Sequence, residues 1–268
     1  MIKAIFGITK EPFNRSDFLL LPQQEDAFEL IKIHAQHGGF SVVIGLPGVG
    51  KTVLKTHIET LNKTPNAVVT SFSRTLHTYL KILQQLADSL TLDTPDKSLE
   101  KVLIQTAFDH VRAHKTIYTL IDEAHLLDIQ VLRKLRLLFD RFPKKHNLVL
   151  FGQPDLLYRL SMSVNADIKD RITYSTTIKP INDDDMQAYI ERELEAVRLG
   201  RNTFDDAAIE VILRSVQGNL RLCRNLCYAS LIQACREGKK VVTIRHVNTI
   251  LIQPHWRSHE ELITQLAH

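Results

Sequence analysis

Eight consecutive residues, Gly45-Leu46-Pro47-Gly48-Val49-Gly50-Lys51-Thr52, have the types and the G-x-x-x-x-G-K-[ST] spacing of a phosphate-binding loop. Glycines at these places let the backbone take positive φ, so that successive N–H groups turn inward toward phosphate oxygens. A helix starting near Lys51 would add its positive N-terminal end. Lys51 is long enough to reach the β- and γ-phosphates, and the Thr52 hydroxyl can ligate Mg²⁺. Gly45, Pro47, Gly48, Val49, Gly50, Lys51, Thr52 and Val53 are therefore the expected ATP contacts.

A second constellation follows downstream. The apolar run Ile117-Tyr118-Thr119-Leu120-Ile121 leads directly into Asp122-Glu123-Ala124-His125. A strand ending in two carboxylates places both at the carboxyl edge of a sheet, beside a phosphate loop. There Asp122 can order Mg²⁺ through its water shell, and Glu123 can polarise the attacking water. An acidic cap on the next helix is the bland alternative. Pairing with the phosphate loop favours the catalytic reading, so the expected reaction is ATP plus water to ADP plus phosphate.

These residues need a frame. Phe40-Ser41-Val42-Val43-Ile44 reads as a buried strand stopped by Gly45, after a helix over 23–37. Helices over 51–61, 75–91, 97–114 and 128–142 alternate with strands 67–70, 117–121, 147–151 and 172–178. Strands apolar along their whole length, alternating with helices, predict an α/β fold with a parallel sheet covered on both faces. After Pro180 helices follow one another without strands: Asn182-Asp183-Asp184-Asp185, Thr203-Phe204-Asp205-Asp206, Gly218-Asn219 and Thr243 mark expected N-termini. The expected division is a nucleotide-binding α/β domain with its N-terminal segment over 1–180, then a helical lid domain and tail over 181–268.

The chain has 268 residues, 44% hydrophobic and 24% charged, enough for a full core without staples. Cys223, Cys227 and Cys235, clustered and odd in number, read as reduced thiols in a lid core rather than disulfides or a zinc site. The N-terminus lacks a leader-like apolar run, and no stretch approaches about 18 apolar residues. The expectation is a cytoplasmic protein with no membrane contact. A net charge of +4 permits a polyanionic partner without requiring one.

With these motifs in place, the sequence resembles the AAA+ ATPases of the ExeA/TniB/TnsC-like group, which includes transposition helpers and a secretion-assembly ATPase. The resemblance is carried by Phe6-Gly7 with Pro12-Phe13, the phosphate loop, and Asp122-Glu123-Ala124-His125. Leu150-Phe151-Gly152-Gln153-Pro154-Asp155-Leu156, Asp170-Arg171-Ile172 and Gly218-Asn219-Leu220-Arg221 complete it. It implies a P-loop NTPase of AAA+ type with a small all-helical lid. It implies that Gln153 senses the γ-phosphate or the lytic water. Arg171 would be an arginine finger reaching a neighbouring subunit's ATP, so that hydrolysis needs a homo-oligomer, ring or filament. Arg221 would be a second sensor, with Arg224 as competitor. Phe6, Pro12 and Phe13 would lie near adenine or simply pin the N-terminal segment.

The resemblance also implies sequence-nonspecific contact with duplex DNA. Arg74, Lys97 and Lys101 are the first candidates for it, and the run Arg133-Lys134, Arg136, Arg141, Lys144-Lys145 is a second. The expected function is an ATP-dependent DNA transposition regulator. It would assemble on DNA, recruit a transposase and a target-selection protein, and disassemble on hydrolysis. The alternatives are a secretion or envelope-assembly ATPase, disfavoured by a chain ending without a transmembrane segment, and a protein-binding switch indifferent to DNA. Trp256 is expected to pack on its own lid.

Overall fold

The computed structural model describes residues 2–13, 20–72, 78–90, 92 and 98–256. The chain divides into two compact units, 19–47 with 51–179, and 1–18 with 48–50 and 180–268. The N-terminal segment thus groups with the C-terminal helices, whereas the sequence reading placed it with the α/β part.

The α/β unit is built on five parallel strands: β1 (Gly39–Ile44), β2 (Ala67–Phe72), β3 (Thr116–Ile121), β4 (His146–Gly152) and β5 (Tyr174–Thr177). Their order is β2-β3-β4-β1-β5. β1 and β4 are buried along their whole length, while β5, at the edge, alternates half-buried and exposed. That difference is why the first two read as continuous apolar runs.

Among the described residues, the helices α2 (Pro22–Ala35), α3 (Lys51–Glu59), α4 (Tyr79–Ser89), α5 (Leu99–Arg112), α6 (Ile129–Phe139), α7 (Pro154–Ser161) and α8 (Ala166–Lys169) accompany the sheet. Phe40, Val42 and Ile44 of β1 join Leu148 and Leu150 of β4 in one core with side chains of α4 to α8. On the alternate face the Asn147 amide donates to the Ile31 carbonyl of α2 at 2.9 Å. The β1–β4 register depends on a missing side chain: a Cβ at Gly39 would stand 2.7 Å from the Asn147 side chain.

The other unit holds α1 (Ile2–Phe6), α9 (Asp183–Glu195), α10 (Asp206–Val216), α11 (Leu220–Arg236) and α12 (Ile244–Leu251). Asn182, Asp205 and Asn219 each accept a backbone N–H at a helix start, and Thr243 forms a capping box with His246. Phe13, 2% exposed, lies 6.4 Å from the Tyr189 ring, and Tyr228 donates to Glu11 at 3.3 Å. Phe13 is a pin within this unit. The three thiols are buried on α11, with Cys223 and Cys227 sulfurs 3.9 Å apart and the Cys227 pKa raised by burial. Among the described residues, no helix is long and apolar enough to cross a membrane.

Candidate nucleotide-binding and hydrolysis site

Parallel strands deliver all their carboxyl ends to one edge of a sheet, and ligands of open α/β folds bind there. In the order β3-β4-β1, the phosphate loop follows β1, Gln153 follows β4, and Asp122-Glu123 follows β3. Gln153 therefore stands between the loop and the carboxylates. Adjacent strands are about 4.8 Å apart, so loop and carboxylates lie within about 10 Å across one intervening strand.

The loop starts as an extension of the ladder, with Gly45 N–H donating to the Gly152 carbonyl at 3.2 Å. It then turns through Gly48 (φ 83°) and Gly50 (φ 104°), both in the left-handed region open to glycine. Gly48 groups with the C-terminal unit, and there a side chain on it would collide with Asn219; the Arg221 N–H donates to the Gly48 carbonyl at 3.3 Å. Lys51 opens α3, and its ammonium donates to the carbonyls of Gly45 at 2.6 Å and Leu46 at 3.0 Å. The loop thus curls around its own lysine. Val49 is buried, Thr52 is exposed in the first turn of α3, and Val53 is half-buried behind it. Two left-handed glycines, a lysine held in the bend and a helix N-terminus form a cradle that fits a triphosphate.

Asp122 is 9% exposed, and its Oδ1 accepts the Glu123 N–H at 2.9 Å. Glu123 itself is left-handed (φ 51°, ψ 35°), a conformation costing a non-glycine residue on the order of 1–3 kcal/mol. This bend turns the carboxylate out of the strand line, leaving its side chain 45% exposed. Its Oε2 lies 3.4 Å from His125 Nδ1, a buried nitrogen without a hydrogen-bond partner. A hydroxyl (Thr52) and a buried carboxylate (Asp122) suit a Mg²⁺–nucleotide, and the protruding carboxylate of Glu123 suits a base for water.

Sequence reasoning missed Lys55. It lies one turn beyond Lys51 on α3, 5% exposed, and its ammonium faces Asp122 and Glu59. The i, i+4 spacing from Lys51 was the available signal.

Arg171 lies at the opposite edge of the sheet. It precedes β5, where Thr173 N–H donates to the Phe40 carbonyl at the start of β1 at 2.9 Å. The six residues of β1 separate that point from the phosphate loop by roughly 15–20 Å. The Arg171 side chain is 59% exposed, 3.8 Å from Asp140, and lines a cleft of about 350 Å³ with Lys144 and His146. The fold does not bring Arg171 to its own chain's phosphate loop. Arg221 is exposed in the first turn of α11, and Arg224 is half-buried one turn on.

Among the DNA candidates, Lys101 is exposed on α5, while Arg74 and Lys97 lie outside the described residues. The second basic run is largely committed. Arg133 grips Asp167 at 2.9 and 3.2 Å, holding that carboxyl below the ordinary carboxylate range. Arg136 donates to Asp140 at 3.0 Å and to Asp167 at 3.4 Å, Arg141 lies 3.6 Å from Glu100, and Lys134 sits over the Tyr79 ring. Those side chains are engaged within the fold; the Arg136–Asp140 pair is an i, i+4 spacing legible in the sequence, whereas Asp167, Glu100 and Tyr79 lie elsewhere in the chain.

The sheet order and phosphate cradle define the fold as that of the AAA+ P-loop ATPases. The family model described as an AAA domain matches residues 33–160. General secretion pathway protein A of Aeromonas hydrophila is 27% identical over 250 residues, 89% of this chain and 46% of that protein. The chain thus spans about half the length of that relative. Among solved structures, the Aeropyrum pernix ORC2 protein in ADPNP–ADP complexes superposes with a TM-score of 0.68 at 14% identity. That match covers 91% of this chain and 72% of the other. Drosophila ORC bound to DNA gives a TM-score of 0.63 at 20% identity, covering 96% and 73%.

Proposed function

We propose that this chain binds ATP with Mg²⁺ and hydrolyses it, and that each site is completed by a neighbouring copy. The observation that carries the reading is the arrangement of loop, Gln153 and paired carboxylates on one sheet edge, with Arg171 on the other. Loop amides and Lys51 hold the β- and γ-phosphates; Thr52 and Asp122 hold the metal. Bound Mg²⁺ would neutralise charge developing on the transferring phosphoryl group. Glu123 accepts a proton from the water that attacks the γ-phosphorus, and Gln153 orients that water. ADP leaves with the β–γ bridging oxygen. Arg171, too far from its own loop, supplies its guanidinium to a neighbour's γ-phosphate, and Arg221 takes the role of a second nucleotide sensor.

On this reading nucleotide state controls assembly. The partner we favour is duplex DNA, bound through its backbone, on which the ATP form would assemble, recruit a transposase and a target-selection protein, and disassemble on hydrolysis. Support comes from the net charge and from a fold shared with a structure bound to DNA. The second reading, a secretion-assembly ATPase, is favoured by the likeness to the Aeromonas protein. Sedimentation with ATP, with and without duplex DNA across a salt series, separates them. Assemblies that require both ATP and DNA and dissolve with salt support the first. ATP-dependent oligomers indifferent to DNA would overturn it and leave the second.

A further inference from the structure

Burying an ammonium is costly unless opposite charge accompanies it. Lys55, 5% exposed, meets that requirement with two carboxylates: Glu59 Oε1 at 3.4 Å and Asp122 Oδ2 at 3.7 Å. Asp122 Oδ1 is engaged by the Glu123 N–H at 2.9 Å. Both oxygens of Asp122 are therefore committed, one to a backbone amide and one to a cation from α3. We propose that Lys55 is a resident counter-cation for Asp122: it aims Oδ2, and its charge makes divalent-metal binding conditional on the nucleotide's phosphates. This rests on Asp122 as the metal carboxylate.

A bare divalent ion approaching Asp122 meets Lys51 and Lys55, two positive charges one turn apart on one helix face. Close like charges oppose each other strongly where water is scarce. ATP brings several negative charges and reverses the balance, so the ion enters with the nucleotide rather than ahead of it. Glu59, partly exposed, shares the ammonium and moderates its hold on Asp122. Lys55 acts through Asp122 and is a positioning residue. A merely structural lysine would make every substitution weaken the site alike; a counter-cation predicts opposite signs for its removal and for the removal of its second partner.

The test uses Mn²⁺ as a probe of the Mg²⁺ site, read by the spin-resonance signal of the free ion, on full-length protein without nucleotide and with one equivalent of ADP. Lys55→Met should bind Mn²⁺ without nucleotide about tenfold more tightly than the parent, the scale on which groups behind metal ligands tune affinity. Glu59→Gln, which leaves the ammonium to Asp122 alone, should weaken ADP-dependent Mn²⁺ binding several-fold. Lys55→Gln repeats the measurement if the methionine variant fails to fold. Unchanged Mn²⁺ affinity in the Lys55 variants, or shifts of the same sign in Lys55 and Glu59 variants, overturns the proposal. Asp122→Asn should remove Mn²⁺ binding in every background. Binding that survives it would sink the metal assignment, and Lys55 with it, whereas loss there with no change at Lys55 overturns Lys55 alone.

Discussion

Glu123 holds its carboxylate on a left-handed backbone immediately after a buried strand, so at this residue conformational cost and proposed chemistry coincide. Glu123→Gln should bind ATP like the parent and lose turnover by about a hundredfold or more, the usual worth of a positioned base. Phosphate release with equilibrium nucleotide binding checks both halves. Glu123→Gly should lose turnover too without losing thermal stability, because glycine takes φ near 51° without strain. At Gly48 the outcome reverses: alanine there meets both a φ of 83° and the Asn219 side chain, and should cost at least about 1 kcal/mol together with nucleotide affinity. Lys51→Ala should abolish nucleotide binding. Loop and carboxylates were legible in the sequence because each motif is a run of consecutive residues. Lys55 was not, because its meaning comes from a carboxylate on another element.

Among elements, β4 and α6 meet at an imidazole. His146, first residue of β4, packs against the rings of Phe139 and Phe142, and its Nδ1 contacts the Pro143 carbonyl at 2.7 Å. Burial lowers its pKa below the ordinary imidazole value; burial followed by Lys115 does the same at His110 on α5. The unfolded chain takes up these protons below about pH 6.5, while the folded chain resists until lower pH. Stability should therefore be full above pH 6.5 and fall as the pH drops toward the folded pKa values. His146→Phe should flatten that fall, read as the urea midpoint between pH 7 and 5. Strands β1 to β4 and most helices were readable from apolar runs and periodicity. α7 was not, because Pro154 reads as a break; it occupies the first turn, where proline's missing N–H costs nothing. β5 is four residues long and half-exposed, so its ends carried little signal.

For the whole molecule, the separation of Arg171 from the loop of its own chain makes a mixing experiment decisive. Arg171→Ala should bind ATP normally and lose turnover, as should any assembly of it alone. Mixed with Lys51→Ala, which binds no nucleotide but carries Arg171, it should recover part of the parent activity; no recovery would place Arg171 outside the chemistry. Sequence alone suggested such a residue through resemblance, but only the sheet shows which edge it occupies. The same sheet has a consequence for how the molecule is made. Its strand β1, between β4 and β5, finds its first partner in β4, 108 positions later in the chain (Gly39 opposite Asn147). A ribosome adding about 5–20 residues per second needs roughly 5–22 s to supply that partner. Until β4 emerges an almost wholly apolar strand waits unpaired, and the phosphate loop lacks the Gly152 carbonyl that its first N–H bonds. Nucleotide can stabilise the nascent chain only after β4 has emerged beside the loop, so until then β1 gains nothing from ligand binding.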